Sequence, residues 1–289
     1  MNYLILGVNG MAGHITAQYL IEQGHKVKGF AREQSSVCDT ILGDARNEAD
    51  IKAALQSDTY DYVINCIGVL NKFVDANLSD GIYLNSVLPH FVAKQLEGTK
   101  TKLIHISTDC VFEGTKGKYT EEDIPDATSY YGRSKALGEV VDDRNLTIRT
   151  SIIGPELKSN GIGLFHWFMS QQDKVFGYEK VIWSGVTTLQ LAKAIEQDIM
   201  TPQTGLYHLV NNEDIAKHDL LVLFNRYCRQ IPIEIGKNST LENDKTLRNT
   251  REMQPFVVPS YEVMVQEMSE WIKRYPDLYK QYQREKCEN

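Results

Sequence analysis

Three glycines at three-residue spacing, Gly7, Gly10 and Gly13, stand between an apolar run over residues 3–7 and a helical pattern over residues 14–23. A side chain in such a strand-to-helix turn would block a diphosphate from the backbone amides and from the positive end of the helix. The turn, Gly7-Val8-Asn9-Gly10-Met11-Ala12-Gly13, reads either as a tight turn alone or as a dinucleotide cradle in which Gly7, Asn9, Gly10, Met11 and Gly13 meet the cofactor. Its surroundings favour the cradle. Residues 26–30, 62–66 and 102–107 repeat the β-rich run and residues 47–55 and 83–95 repeat the helical one, an alternation that builds a parallel sheet covered on both faces. A ligand is then expected beyond the carboxyl ends of the strands, where the connections diverge.

A further strand over residues 146–148 closes the regular part. Residues 155–182 and those from about 211 onward are richer in Asn, Gln and aromatic residues and lack this rhythm. Between them, residues 188–199 suit an amphipathic helix and 206–210 a short strand, both returning to the main sheet. The expected fold is α/β: a Rossmann-type doubly wound parallel sheet from residues 1–154 and about 186–210, with a smaller discontinuous C-terminal substrate lobe from about 155–185 and 211–289. The charged, tyrosine-rich tail 274–289 reads as a surface helix.

Composition narrows the function. Thirty-one Lys and Arg against 38 Asp and Glu leave a net charge of −7, so a global positive field for nucleic acid is missing. No apolar run approaches the roughly 20 residues of a bilayer span. The start, Met1-Asn2-Tyr3, carries no secretory signature, and a cytoplasmic location is expected. The five cysteines, Cys38, Cys66, Cys110, Cys228 and Cys287, include no CxxC pair and read as reduced thiols. The seven histidines never fall three or four apart, so no helix offers a His pair and no metal is expected.

The second strand should end near Ala31, where Asp or Glu usually meets the adenosine ribose hydroxyls of NAD. The chain reads Ala31-Arg32 instead. A guanidinium without a competing acid can pair with a 2′-phosphate through two hydrogen bonds, which points to NADP(H); the alternative is a surface arginine beside Glu33. Asp44, in Gly43-Asp44, is either an acceptor for adenine or a solvated turn residue.

Tyr131-Gly132-Arg133-Ser134-Lys135 sets a phenol and an ammonium four residues apart, on one face if helical. A phenol with a free pKa of about 10 is a reluctant acid at neutral pH, and a nearby cation is expected to bring it closer to operating range. Tyr131 could then protonate a carbonyl oxygen, with Ser107-Thr108 at a strand end polarising the same group.

These residues resemble the extended short-chain dehydrogenase/reductase family over most of the chain. The glycine turn matches its GxxGxxG and Tyr131–Lys135 its Tyr-Lys pair. Ile106-Ser107-Thr108-Asp109-Cys110-Val111-Phe112, the segment through Tyr130-Tyr131-Gly132 to Gly138-Glu139, and Ile148-Arg149-Thr150-Ser151 look most like the dTDP-4-dehydrorhamnose reductases and relatives acting on sugar nucleotides. The resemblance implies NADPH as hydride donor and Thr108, Tyr131 and Lys135 as catalytic residues. It sets Asn65, Cys66, Ile67 and Gly68 beside the cofactor, Asn85 on a helix behind the site and Arg149-Thr150-Ser151 near the nicotinamide. Departures fall at Cys110 in place of an aromatic residue, at Cys66-Ile67-Gly68 in place of an Ala-rich run, and at Trp183-Ser184-Gly185-Val186-Thr187 in place of Ser-Pro-Thr. Reaction type therefore transfers better than sugar identity, and an N-acetylated, UDP-linked sugar competes with dTDP-4-dehydrorhamnose.

For the substrate, Thr108 and Cys110 flank the site. Arg248 and Arg251, in the basic stretch 245–251, are either cations for a nucleotide diphosphate or solvated loop charge. Trp183 either stacks on a sugar or base or packs the core. A homodimer is compatible with the resemblance. Two other classes stay open: an epimerase or dehydratase retaining NAD, against which the missing acid at Ala31 stands, and a non-catalytic regulatory subunit, as one serves methionine adenosyltransferase in this family.

Overall fold

Tyr3 and Ile5 point to one face of the first strand and Leu4 and Leu6 to the other, and all four are fully buried. Only a sheet covered on both sides buries both sets. The computed structural model describes residues 1–198, 201–253 and 255–283, and it has that sheet. β1 (Asn2–Leu6) leads through the glycine turn into α1 (Met11–Glu22), β2 (Lys26–Ala31), β3 (Thr40–Leu42) and α2 (Glu48–Gln56). The chain then crosses to β4 (Tyr62–Asn65), runs through α3 (Asn71–Ala76), α4 (Leu78–Ile82), a π-helical turn (Tyr83–Val87) and α5 (Leu88–Gln95), and returns as β5 (Lys102–Ile106). After α6 (Tyr130–Leu137) comes β6 (Leu146–Arg149).

All pairings in this sheet are parallel, and the strand order is β3-β2-β1-β4-β5-β6, extended on the β6 edge by one later strand. The chain reverses its direction of winding between β1 and β4, which opens a crevice at their carboxyl ends. On one face Tyr3, Ile5, Ile64 and Ile104 pack with Ile15 and Leu20 of α1; on the other Leu4, Leu6, Val63 and Leu103 pack with Ile51 of α2 and Leu88 and Val92 of α5. The π turn precedes Pro89, which has no N–H to donate to the Asn85 carbonyl four residues back.

The rest of the chain is β7 (Ile152–Ile153), α7 (Leu164–Met169), β8 (Val175–Trp183), β9 (Val186–Thr187), α8 (Thr188–Gln197), β10 (Gly205–His208), β11 (Ile215–Ala216), α9 (Lys217–Cys228), β12 (Ile235–Asp244) and α10 (Tyr261–Arg274). β10 is the later strand that joins the main sheet beside β6, and β8 is the middle of a second sheet, with β11 antiparallel and β12 parallel to it. β10 falls on the strand expected over 206–210, whereas the strands of the second sheet lie where the sequence showed no β rhythm, because β8 exposes Phe176 and Tyr178 while burying Val175, Val181 and Trp183. The expected tail helix is also corrected: α10 stops at Arg274, just before Tyr275-Pro276, and Tyr279 is fully buried. Residues 284–289, with Cys287, and Ile199 at the end of the expected helix lie outside the described residues. Cys38, Cys66, Cys110 and Cys228 are free thiols, and among the described residues no helix is long and apolar enough to cross a membrane.

Arg149, at the carboxyl end of β6, is buried at 1% exposure. Its Nη2 lies 2.6 Å and its Nε 2.9 Å from the two oxygens of Glu139, which also accepts the Ser107 hydroxyl at 2.7 Å. This pair fixes β6 against the exit of β5. Removing one partner strands the other charge in the interior, so Arg149→Met is expected to lower the free energy of unfolding by about 3–5 kcal/mol in urea titration. A loss below about 1 kcal/mol would show the pair to be dispensable.

Candidate active site

Gly7 has φ +82°, a left-handed conformation that glycine adopts without strain. A Cβ on Gly13 would sit 2.3 Å from the Gly7 carbonyl oxygen, so α1 can start this close to β1 only with glycine there. Gly10 meets nothing but that same oxygen, at 3.2 Å, and its free face lines a cleft of about 660 Å³. Gly7, Asn9 and Met11 line it too, together with Ala31, Arg32, Asp44, Arg46, Cys66, Ile67, Gly68 and residues 156–158. Asn9 ties the turn to the end of β2 by donating to the Glu33 carbonyl at 2.9 Å. A cradle without side chains, at a helix N-terminus and in a cleft of this volume, fits a dinucleotide.

Among the described residues Arg32 enters this wall with no hydrogen bond or ion pair, whereas Asp44 is already held by Arg46 at 2.5 Å, which keeps its carboxyl down at about 2. Arg46 also reaches Asp80 at 3.0 Å. The sequence reading missed Arg46, although its spacing two residues after Asp44 suits such a pair. It also missed residues 156–158, which no local motif marks.

Beyond β5, Thr108 takes an extended conformation and accepts the Cys110 N–H at 3.1 Å while donating to Asp109 at 3.0 Å. α6 is capped by Ser129, whose hydroxyl accepts the Gly132 N–H at 3.1 Å. A Cβ on Gly132 would fall 2.2 Å from the Cys110 carbonyl oxygen, so glycine there lets α6 close onto the exit of β5. That contact brings Tyr131, 9% exposed, to Thr108, 8% exposed. Burial raises the Tyr131 phenol above its usual range, with the Cys110 and Asp109 charges adding and the Thr108 hydroxyl opposing.

The expectation that Lys135 makes this phenol more acidic is therefore corrected. Lys135, 4% exposed, donates to the Ile106 carbonyl at 2.8 Å and lies 3.4 Å from His105 Nε2. Burial lowers its ammonium to about 8, outweighing the Glu139 and Cys66 charges that oppose it, and no attraction to the phenol enters. Asn65 orients His105 by donating to Nδ1 at 3.1 Å, and its own oxygen accepts the Ile67 N–H at 3.1 Å. The lysine's charge acts on Cys66 in the cleft wall, whose thiol burial pushes up to about 12. Asn85 braces the same wall through both backbone groups of Val69, at 2.8 and 2.9 Å, and donates to Ser134 of α6 at 3.0 Å.

The remaining substrate candidates divide. Cys110 adjoins Tyr131, and its thiol is pushed up to about 12 by burial. Trp183, 5% exposed, donates to Ser151 at 2.9 Å and packs on Tyr261, so it is a core residue. Arg248 forms an ion pair with Asp214 at 2.6 Å, and Arg251 donates to the Leu206 carbonyl at 3.0 Å. Both guanidiniums are committed within the fold. Lys245 of the same stretch has no ion pair among the described residues, and its charge acts on Cys110. Among the described residues no group of three His, Cys, Asp or Glu is placed to hold a metal.

A family model described as the RmlD substrate binding domain matches residues 1–230. The probable low-salt glycan biosynthesis reductase Agl14 of Haloferax volcanii is 32% identical over 161 residues, 53% of this chain and 54% of that protein, so the match spans about half of the relative's length. Subunit beta of methionine adenosyltransferase 2 from Xenopus laevis is 30% identical over 244 residues, 75% of this chain and 69% of that one. Among solved structures, dTDP-4-dehydrorhamnose reductase from Bacillus anthracis in complex with NADP superposes with a TM-score of 0.79 at 19% identity, covering 94% of this chain and all of that one. Cradle, sheet order and family match agree: the chain belongs to the RmlD substrate binding domain family, within the extended short-chain dehydrogenases/reductases.

Proposed function

We propose that the chain is an NADPH-dependent reductase of a nucleotide-linked 4-keto-6-deoxy sugar, serving the synthesis of polysaccharide or glycan precursors. The observation that carries this reading is the convergence of two hydroxyls, Thr108 and Tyr131, past the end of β5 beside a lysine that adjoins the wall of a glycine-lined cleft. Bound NADPH would supply the hydride to the ketone carbon. Gly7 and Gly10 would leave room for its diphosphate, Gly13 lets α1 begin over the end of β1, Arg32 would pair with the 2′-phosphate, and Lys135 would hold the nicotinamide ribose. Tyr131 gives its proton to the ketone oxygen while Thr108 donates a hydrogen bond to it. A phenol whose pKa burial has raised keeps its proton at neutral pH, which suits an acid in the reductive direction. Charge growing on the oxygen meets these two hydroxyls in a largely dry site. Lys245 is the cation offered to the sugar nucleotide's diphosphate, in place of Arg248 and Arg251. The names borne by the Haloferax and Bacillus proteins support a sugar substrate and NADP.

A second reading is a nucleotide-binding regulatory subunit, favoured by the similarity to subunit beta of methionine adenosyltransferase 2 and by the burial of Tyr131. NADPH oxidation against a panel of dTDP-, UDP- and GDP-linked 4-ketohexoses separates the two. The reductase reading expects turnover with one of them and, in Tyr131→Phe, a fall in kcat of about 10²–10⁴ with near-normal NADPH binding. Silence across the panel, or undiminished turnover in the variant, would defeat it. Arg32→Ala is expected to raise the KM for NADPH about tenfold while leaving that for NADH unchanged, in initial-rate measurements. An equal rise for both cofactors would exclude a 2′-phosphate contact.

A further inference from the structure

The segment after α10 lies beyond the residues matched by the family model, yet it reaches two parts of the cleft wall. His14 is fully buried and its Nδ1 lies 2.8 Å from the Gly10 carbonyl. A carbonyl only accepts, so Nδ1 carries the proton and Nε2 offers a lone pair to the Tyr279 hydroxyl, 3.0 Å away. Trp271 of α10 donates its indole N–H to the same hydroxyl oxygen at 3.1 Å. Every donor is thereby assigned in a buried chain running from Trp271 through Tyr279 and His14 to the glycine turn. Burial lowers His14 to about 4, so the ring stays neutral and the chain holds at physiological pH.

Three residues on, the Tyr282 hydroxyl accepts the Glu156 N–H at 3.0 Å and lies 2.9 Å from His166 Nδ1, and the Gln281 amide donates to the Glu156 carbonyl. Residues 156–158 line the cleft together with Gly10 and Met11. The two linings approach each other, since a Cβ on Gly163 would fall 3.5 Å from Met11 Sδ and the Gly163 N–H donates to Glu156 at 2.7 Å.

We propose that residues 275–283 form a strap that positions both linings of the nucleotide cleft, Tyr279 acting on the glycine turn through His14 and Tyr282 with Gln281 acting on residues 156–158. The proposal rests on the reading of this cleft as the NADPH site. Neither tyrosine lines the cleft, so both are positioning residues.

The test is a fluorescence titration of full-length wild type, Tyr279→Phe, Tyr282→Phe and the double variant with NADPH, together with hydrogen exchange of the amides of residues 10–15. Phenylalanine keeps the ring packing and removes only the hydroxyl. Each single variant is expected to raise the Kd about tenfold and the double variant further, and Tyr279→Phe to speed exchange at residues 10–15 while Tyr282→Phe does not. Gln281→Ala, which removes one part-buried amide, is expected to weaken NADPH binding about threefold and serves if a tyrosine variant does not fold. A double variant, or Gln281→Ala in its place, that binds NADPH as the wild type does would overturn the strap whatever its thermal stability. A wild type that does not bind NADPH would overturn the reading of the cleft and the strap with it.

Discussion

The approach of the Gly7 carbonyl to residue 13 governs the cleft. With no side chain at 13, α1 begins directly over the end of β1, and Gly7, Asn9, Gly10 and Met11 are left to line the cleft. The same device recurs at Gly132, where the absence of a Cβ lets α6 settle on the Cys110 carbonyl. Two close approaches, each possible only for glycine, thus define the two halves of the candidate site: the glycine-turn cleft and the junction of Thr108 with Tyr131. The sheet supplies the frame that holds them, because β1, β4 and β5 are adjacent and their carboxyl ends face one crevice.

Burial decides the electrostatics within that frame. Lys135 and Tyr131 share a helix face, yet desolvation moves their pKa values in opposite directions, the amine to about 8 and the phenol upward. The pair consists of a proton-retaining phenol and a readily neutralised amine, rather than an ionised phenol drawn down by a cation. Around it the polar groups are committed: Ser107 to Glu139, Glu139 to Arg149, His105 to Asn65. The Thr108 hydroxyl is held locally, donating to Asp109 and accepting the Cys110 N–H.

Local pattern carried the parts of the fold where each residue's environment follows from its neighbours in sequence. β1, β4, β5 and β6 are buried on both faces, so their apolar runs were legible, and the glycines announced the cleft. β8 and β12 were not legible, since one alternates exposed aromatics with buried aliphatics and the other is largely exposed. The site divided in the same way. Spacing singled out Tyr131 with Lys135, and strand-end position singled out Thr108 and Arg32, but the commitments of Arg248 to Asp214 and of Arg149 to Glu139 join residues 34 and 10 positions apart. The strap contacts span 265 and 126 positions, a separation no local motif encodes.

In the proposed reductase the glycine cleft and the two hydroxyls act on one carbonyl. Turnover of the best 4-ketohexose nucleotide with NADPH deuterated at nicotinamide C4, followed by mass spectrometry and NMR of the product, tests it most directly. A reductase built in this way places a single deuteron at C4 of the sugar. Bound cofactor with no label in any sugar product would contradict it and leave the chain a nucleotide-binding subunit.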